Sequence, residues 1–72
     1  MASAAEVCYI DQIGETAGAI WRALAERGPL TTARLVKEID APRDIVMQAL
    51  GWLAREHKIE IEEGRSRTIS LR

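Results

Sequence analysis

Four side chains in the second half of the chain, Arg43, Gln48, Arg65 and Arg67, have the chemistry to recognise a polyanion. A guanidinium donates paired N–H groups to a phosphate or to a guanine edge, and a carboxamide matches the donor and acceptor of an adenine edge. Arg55 and Lys58 add two cations nearby. The same stretch carries a second chemistry. Met47, Gly51 and Trp52 are apolar or small, and a half-exposed tryptophan is a frequent anchor of protein interfaces. Other chemistry finds little support. His57 is the single histidine and Cys8 the single cysteine, so neither zinc spacing nor an internal disulfide is available. Cys8 has no histidine or cation beside it to lower its pKa, so an inert thiol is expected. Glu60, Glu62 and Glu63 alternate in facing and do not converge as an acid–base pair or a calcium loop. No glycine-rich phosphate loop occurs. The expectation is a protein that is not an enzyme, with no cofactor, no metal and no small-molecule substrate.

Charge tempers the polyanion reading. The 72 residues hold 10 Lys+Arg against 11 Asp+Glu, a net charge of −1. From residue 42 onward six basic side chains face five acidic ones, a surplus of only +1. Nucleic-acid surfaces usually collect more, so a monomer would bind weakly and a dimer presenting two such surfaces would bind adequately. The length admits one domain with one core, buried to roughly 60% of the unfolded surface. No apolar run approaches the ~20 residues that span a bilayer. The start, Met1 to Glu6, lacks the basic and apolar regions of a signal peptide. A soluble cytoplasmic protein is expected.

The elements that must position these side chains follow from periodicity. Ile10, Ile13, Ala17, Ile20 and Leu24 recur at helical spacing, with Trp21 on the flank. This first helix should end at Arg27-Gly28-Pro29, where glycine suits the residue after the helix and proline cannot continue it. Residues 1–9 are a flexible segment or an extension of that helix, with Met1-Ala2-Ser3 disordered; the domain proper is 10–72. Leu30 could form a very short strand. Thr31 suits the N-cap of a second helix, 32–39, whose apolar face is Leu35, Val36 and Ile39. After the Asp40-Ala41 turn, Pro42 fits the first position of a third helix reaching His57. Placed at ~100° steps, Val46, Ala49, Leu50 and Leu53 form its buried stripe. Asp44, Gln48, Gly51 and Arg55 lie opposite, Met47 on one flank, Ile45 and Trp52 on the other.

The period then switches to two. Ile59-Glu60-Ile61-Glu62 and Thr68-Ile69-Ser70-Leu71 alternate around a turn at Gly64-Arg65-Ser66. Pairing Ile61 with Ile69 and Ile59 with Leu71 puts all four on the face toward the helices and sets Glu63 opposite Arg67. The fold class is therefore α+β, mainly α: a winged helix-turn-helix of three helices followed by a two-stranded β-hairpin wing, with Leu30 as a candidate third strand.

Two blocks carry a resemblance. Ile13-Gly14-Glu15-Thr16-Ala17-Gly18 with Ile20-Trp21, Leu24, Gly28 and Pro29 is one. Ala49-Leu50-Gly51-Trp52-Leu53-Ala54-Arg55-Glu56 with Lys58-Ile59 is the other. Together they resemble a family of small winged helix-turn-helix proteins of bacteria and archaea, long catalogued as a domain of unknown function. The likeness runs from about Ile10 to Leu71. It implies the winged-helix fold and, through the fold, nucleic-acid binding.

Each candidate has a plainer structural alternative. Arg43 and Gln48 either read bases from the third helix or belong to an ordinary solvated face beside Asp44. Arg65 and Arg67 either touch phosphate from the wing tip or keep a charged hairpin edge soluble beside Glu60, Glu62 and Glu63. Trp52 either anchors an interface or packs on the wing or first helix. Gly14 and Gly18, two helix-interior glycines that each cost about 1 kcal/mol relative to alanine, call for a close helix approach within the domain or across a dimer. His57 reads as a helix-end histidine. Two functions remain: a DNA-binding module, such as a small transcription regulator or accessory factor, or a protein-interaction module using Met47, Gly51 and Trp52 toward another protein or a second copy.

Overall fold

The first helix, α1, spans Ala4–Arg27, so the stretch from residue 4 to residue 9 continues it. In this computed structural model the backbone is described for residues 4–72 and the side chains for residues 9–72. The expectations for Met1-Ala2-Ser3 and for the Cys8 thiol lie outside them. Helix α1 stops where glycine allows it. Gly28 has φ +82°, and its N–H bonds the Leu24 carbonyl at 2.9 Å. The chain then passes through β1 (Leu30–Thr31), α2 (Thr32–Glu38), α3 (Arg43–Arg55), β2 (Ile59–Glu62) and β3 (Thr68–Leu71).

Thr31 caps α2 as its type demands: its hydroxyl accepts from the Arg34 N–H at 3.1 Å. Glu38 at the far end accepts from both Arg27 and Arg34, pinning α2 to the end of α1. Pro42 stands one position earlier than expected, as the N-cap of α3, with ψ 150°. A proline has no side-chain acceptor, so Asp44 supplies one, accepting from the Ile45 N–H at 2.9 Å.

Helix α3 also ends two residues before His57. His57 itself takes the left-handed conformation, φ 59°, that glycine usually fills. Its N–H bonds Ala54 O at 3.1 Å while the Lys58 N–H bonds Leu53 O at 3.0 Å, the paired closure that reverses a chain at a helix end. That reversal launches β2.

The sheet order is β1-β3-β2, antiparallel throughout, so Leu30 does contribute a third strand. The register is the expected one, Ile61 with Ile69 and Ile59 with Leu71. The core gathers Ala17, Ile20 and Leu24 of α1, Leu35 of α2, and Val46, Ala49, Leu50 and Leu53 of α3, with Ile59 and Ile69 beneath them.

Three facings differ from expectation. Ile10, expected in the apolar stripe of α1, stands in solvent at the edge of that stripe. Ile45 is buried, because α1 and the α2–α3 turn close over the first turn of α3. Ile61 shares its strand face with Ile59 yet is 43% exposed. Two residues of extended chain carry it roughly 7 Å farther along the hairpin, beyond the helices that cover Ile59.

Two stability outcomes follow. Leu50→Ala or Leu53→Ala should cost about 2–5 kcal/mol, whereas exposed Gln48→Ala should change little, as read by urea denaturation. His57→Gly should raise stability by about 0.5–1 kcal/mol: it relieves a left-handed side chain costing about 1–2 kcal/mol and gives part of that back as unfolded-state entropy. An unchanged or lowered denaturation midpoint would show that no strain resides there.

Candidate nucleic-acid interface

Three elements converge on a groove beside α3. The α2 N-terminus supplies Thr31, Thr32 and Ala33. Arg43 and Met47 come from α3. The turn after β2 supplies Glu63, Gly64, Arg65, Ser66 and Arg67. Backbone bonds hold the walls together: the Thr32 N–H donates to the Arg67 carbonyl at 2.9 Å, and the Thr32 hydroxyl reaches the same oxygen at 3.4 Å. The helix-turn-helix and the wing are thus fastened at the residue that carries one of the groove's cations.

The electrostatics are uneven. Arg67 Nε lies 3.3 Å from Glu63 Oε1, the pair expected to face each other across the hairpin. Both side chains are largely in water, where such a pair contributes about 0–1 kcal/mol and yields readily to a stronger anion. Among the described residues Arg43 and Arg65 take part in no ion pair. Three guanidiniums therefore face one carboxylate in the groove. Glu60 and Glu62 point from β2 to the face opposite Ile59 and Ile61, and do not line it.

The remaining candidates divide. Gln48 is exposed, but its amide donates to the Tyr9 hydroxyl at 2.6 Å, on the α1 side of α3. Tyr9 as a holder of Gln48 was not foreseeable from spacing, since 39 residues separate them. Asp44, Gly51 and Arg55 lie on the open face of α3. Met47 is half-buried and packs on the core at the groove floor. Lys58 lies elsewhere, in a second concavity with Trp52. Met47 and Trp52 therefore do not share one surface.

That second concavity holds both the tryptophan and the two glycines. Trp52 is 53% exposed and lines it together with Gly14, Ala17, Gly18, Trp21 and Arg22. It is not packed away on the wing or the first helix: the part of α1 nearest the indole is lined by Gly14, Ala17 and Gly18, which are too small to cover it, with Trp21 and Arg22 at the edge. A Cβ at Gly14 would meet nothing within 4 Å, and at Gly18 only the Arg22 guanidinium at 3.8 Å. No close helix approach within the domain uses these glycines.

The winged helix-turn-helix domain family DUF2582 matches residues 9–71. The chain belongs to this family. Its three helices and small antiparallel sheet have the family's winged-helix architecture. Two solved structures are similar. The solution structure of protein BT2368 from Bacteroides thetaiotaomicron is 31% identical, with a TM-score of 0.74 over 85% of this chain and 76% of that one. The crystal structure of an ArsR family transcriptional regulator is 26% identical, with a TM-score of 0.63 over 100% of this chain and 77% of that one. No curated protein matches the chain. Among the described residues of this DUF2582 domain, no helix is long and apolar enough to cross a membrane.

The exposure of Trp52 has a measurable consequence. Trp52→Ala should leave helical circular dichroism intact and shift stability by no more than about 1 kcal/mol, in contrast with its neighbour Leu53. An unfolded Trp52→Ala chain would mean that the indole supports the core.

Proposed function

We propose that this domain binds double-stranded DNA through the arginine-lined groove, with α3 in the major groove and the hairpin against the flanking backbone or minor groove. The observation that carries this reading is the convergence of Arg43, Arg65 and Arg67, from two separate elements, on one groove beside the α2 N-terminus. Winged-helix geometry presents such a surface to a duplex: the helix reads base edges and the wing touches phosphate. The likeness to a transcriptional regulator of the ArsR family supports the same reading and suggests a regulatory role.

The roles divide by position. Arg43, at the first turn of α3, is the base-edge reader, and guanine is the base its fork matches. Arg65 and Arg67 neutralise phosphates, Arg67 by exchanging Glu63 for a phosphate oxygen. Gln48 enters the interface by giving up Tyr9 for an adenine edge, and Arg55 adds a backbone contact from the open face of α3. Lys58, on the Trp52 side, is left out of this interface. The exposed Trp52 favours a further, protein-facing surface on the other flank of α3, compatible with DNA in the groove.

Fluorescence anisotropy with a random-sequence duplex, across a salt series from about 50 to about 200 mM, tests the proposal. Wild-type affinity should fall steeply with salt. Arg65→Ala/Arg67→Ala should weaken binding to all sequences and flatten the log–log salt slope by about one unit per lost phosphate contact. Arg43→Ala should relax preference at one base pair by about 1–3 kcal/mol. Glu63→Gln, which frees Arg67, should tighten binding. Absence of binding at the lowest salt would refute DNA recognition, and an undiminished double variant would remove the wing from it.

A further inference from the structure

We propose that the concavity between α1 and the end of α3 receives the α1 of a second copy of this chain, forming a twofold antiparallel helix pair. It lies on the other flank of α3 from the arginine-lined groove and does not depend on DNA binding.

Three large apolar side chains stand unusually open around it: Ile10 at 69%, Trp21 at 45% and Trp52 at 53% exposed. Trp21 and Trp52 line the concavity; Ile10 lies one helical turn before Gly14 on the same face of α1. At ~100° per residue, Ile10, Gly14, Gly18 and Trp21 fall within roughly 80° of one another, a single stripe along α1. The glycines form its flat middle, and the bulky residues stand at both ends.

Distance along the helix selects the occupant. Take a twofold axis crossing α1 at residue 16, midway between the glycines. At 1.5 Å per residue, Ile10 lies about 9 Å to one side and Trp21 about 7.5 Å to the other. The symmetry therefore brings Ile10 of one copy level with Trp21 of its partner, where Trp52 closes the far wall. Each copy offers both the knob and the hole, as an isologous interface requires.

Charge supports the same choice. Asp11 and Arg22 stand on the same border of the stripe, about 20° apart around α1, and neither forms an ion pair among the described residues. A twofold axis of this kind keeps that border on one side and reverses the helix direction. Asp11 of one copy then meets Arg22 of the other, twice per pair. A parallel twofold would place the two borders on opposite edges of the pair and leave Asp11 and Arg22 unmatched. Glycine at positions 14 and 18 lets the two backbones approach closely in the middle. A standard-size interface needs about 600 Å² per partner at its small end, roughly a ninth of the 5171 Å² that the chain exposes.

Sedimentation equilibrium on the whole chain, from about 1 µM to about 1 mM, tests this. The wild type should rise with concentration from 8.0 kDa toward twice that mass. Gly14→Leu adds a side chain where the monomer has open space and improves helix propensity. It should keep the helical circular dichroism and weaken association at least tenfold. Asp11→Arg should weaken it as well, and Asp11→Arg/Arg22→Asp, which restores opposite charges across the axis, should recover it. A wild type that stays at the monomer mass across the range overturns the proposal. So does a dimer unaffected by Gly14→Leu, or a double variant no better than Asp11→Arg alone.

Discussion

Everything that points outward in this domain depends on one buried residue of the central strand. Ile69 of β3 is fully buried and pairs with Leu30 on one side and Ile61 on the other. A two-stranded hairpin has marginal stability in water. Here it is held because β3 is the central strand of the sheet and its apolar face lies under the helical core. The same strand ties the wing to α2, since the Arg67 carbonyl just before it accepts from the Thr32 N–H. Loss of the Ile69 contact would free the groove's arginines from the helix-turn-helix that gives them their direction.

The helices divide the molecular surface into two working faces. On the α3 wheel Arg43 and Met47 stand within about 40° of each other and look into the groove beside the wing. Trp52 stands about 180° from Arg43 and looks toward α1. The core occupies the arc between them on the far side, through Val46, Ala49, Leu50 and Leu53. A chain with no net cationic surplus can still present a positive groove in this way. Three of its arginines, Arg43, Arg65 and Arg67, line the one groove, while carboxylates such as Glu60 and Glu62 face elsewhere.

Much of this was legible in the sequence. The period of 3.6 gave the helices, the switch to a period of two at Ile59 gave the hairpin, and shared facing of apolar residues set the register that the strands adopt. What escaped were features decided by three-dimensional neighbours. Ile45 and Trp52 are seven residues apart and share a helical face, yet one is covered by the α2–α3 turn and the other faces glycines. Ile61 alternates correctly, but alternation says nothing of where the helices stop. At the candidate site, the order of elements alone brings Arg43, Arg65 and Arg67 together. Helical angle alone groups Gln48 with them, but its bond to Tyr9 depends on how α1 crosses α3. The end of α3 lies two residues before the expected His57, and no glycine signals it because a histidine takes the left-handed position.

The pairing of β1 with β3 sets an order in time as well as in space. Leu30 and Thr31 find their strand partners only at Ile69 and Thr68. During synthesis these two residues leave the ribosome long before the segment that completes the sheet, and closing so long a loop must precede any gain from the contact. The helices can collapse on one another early, but the sheet waits for the last strand to be translated. Until then the apolar underside of α1 and α3 lacks Ile69, and a nascent chain stalled before residue 68 exposes that surface to chaperones and proteases.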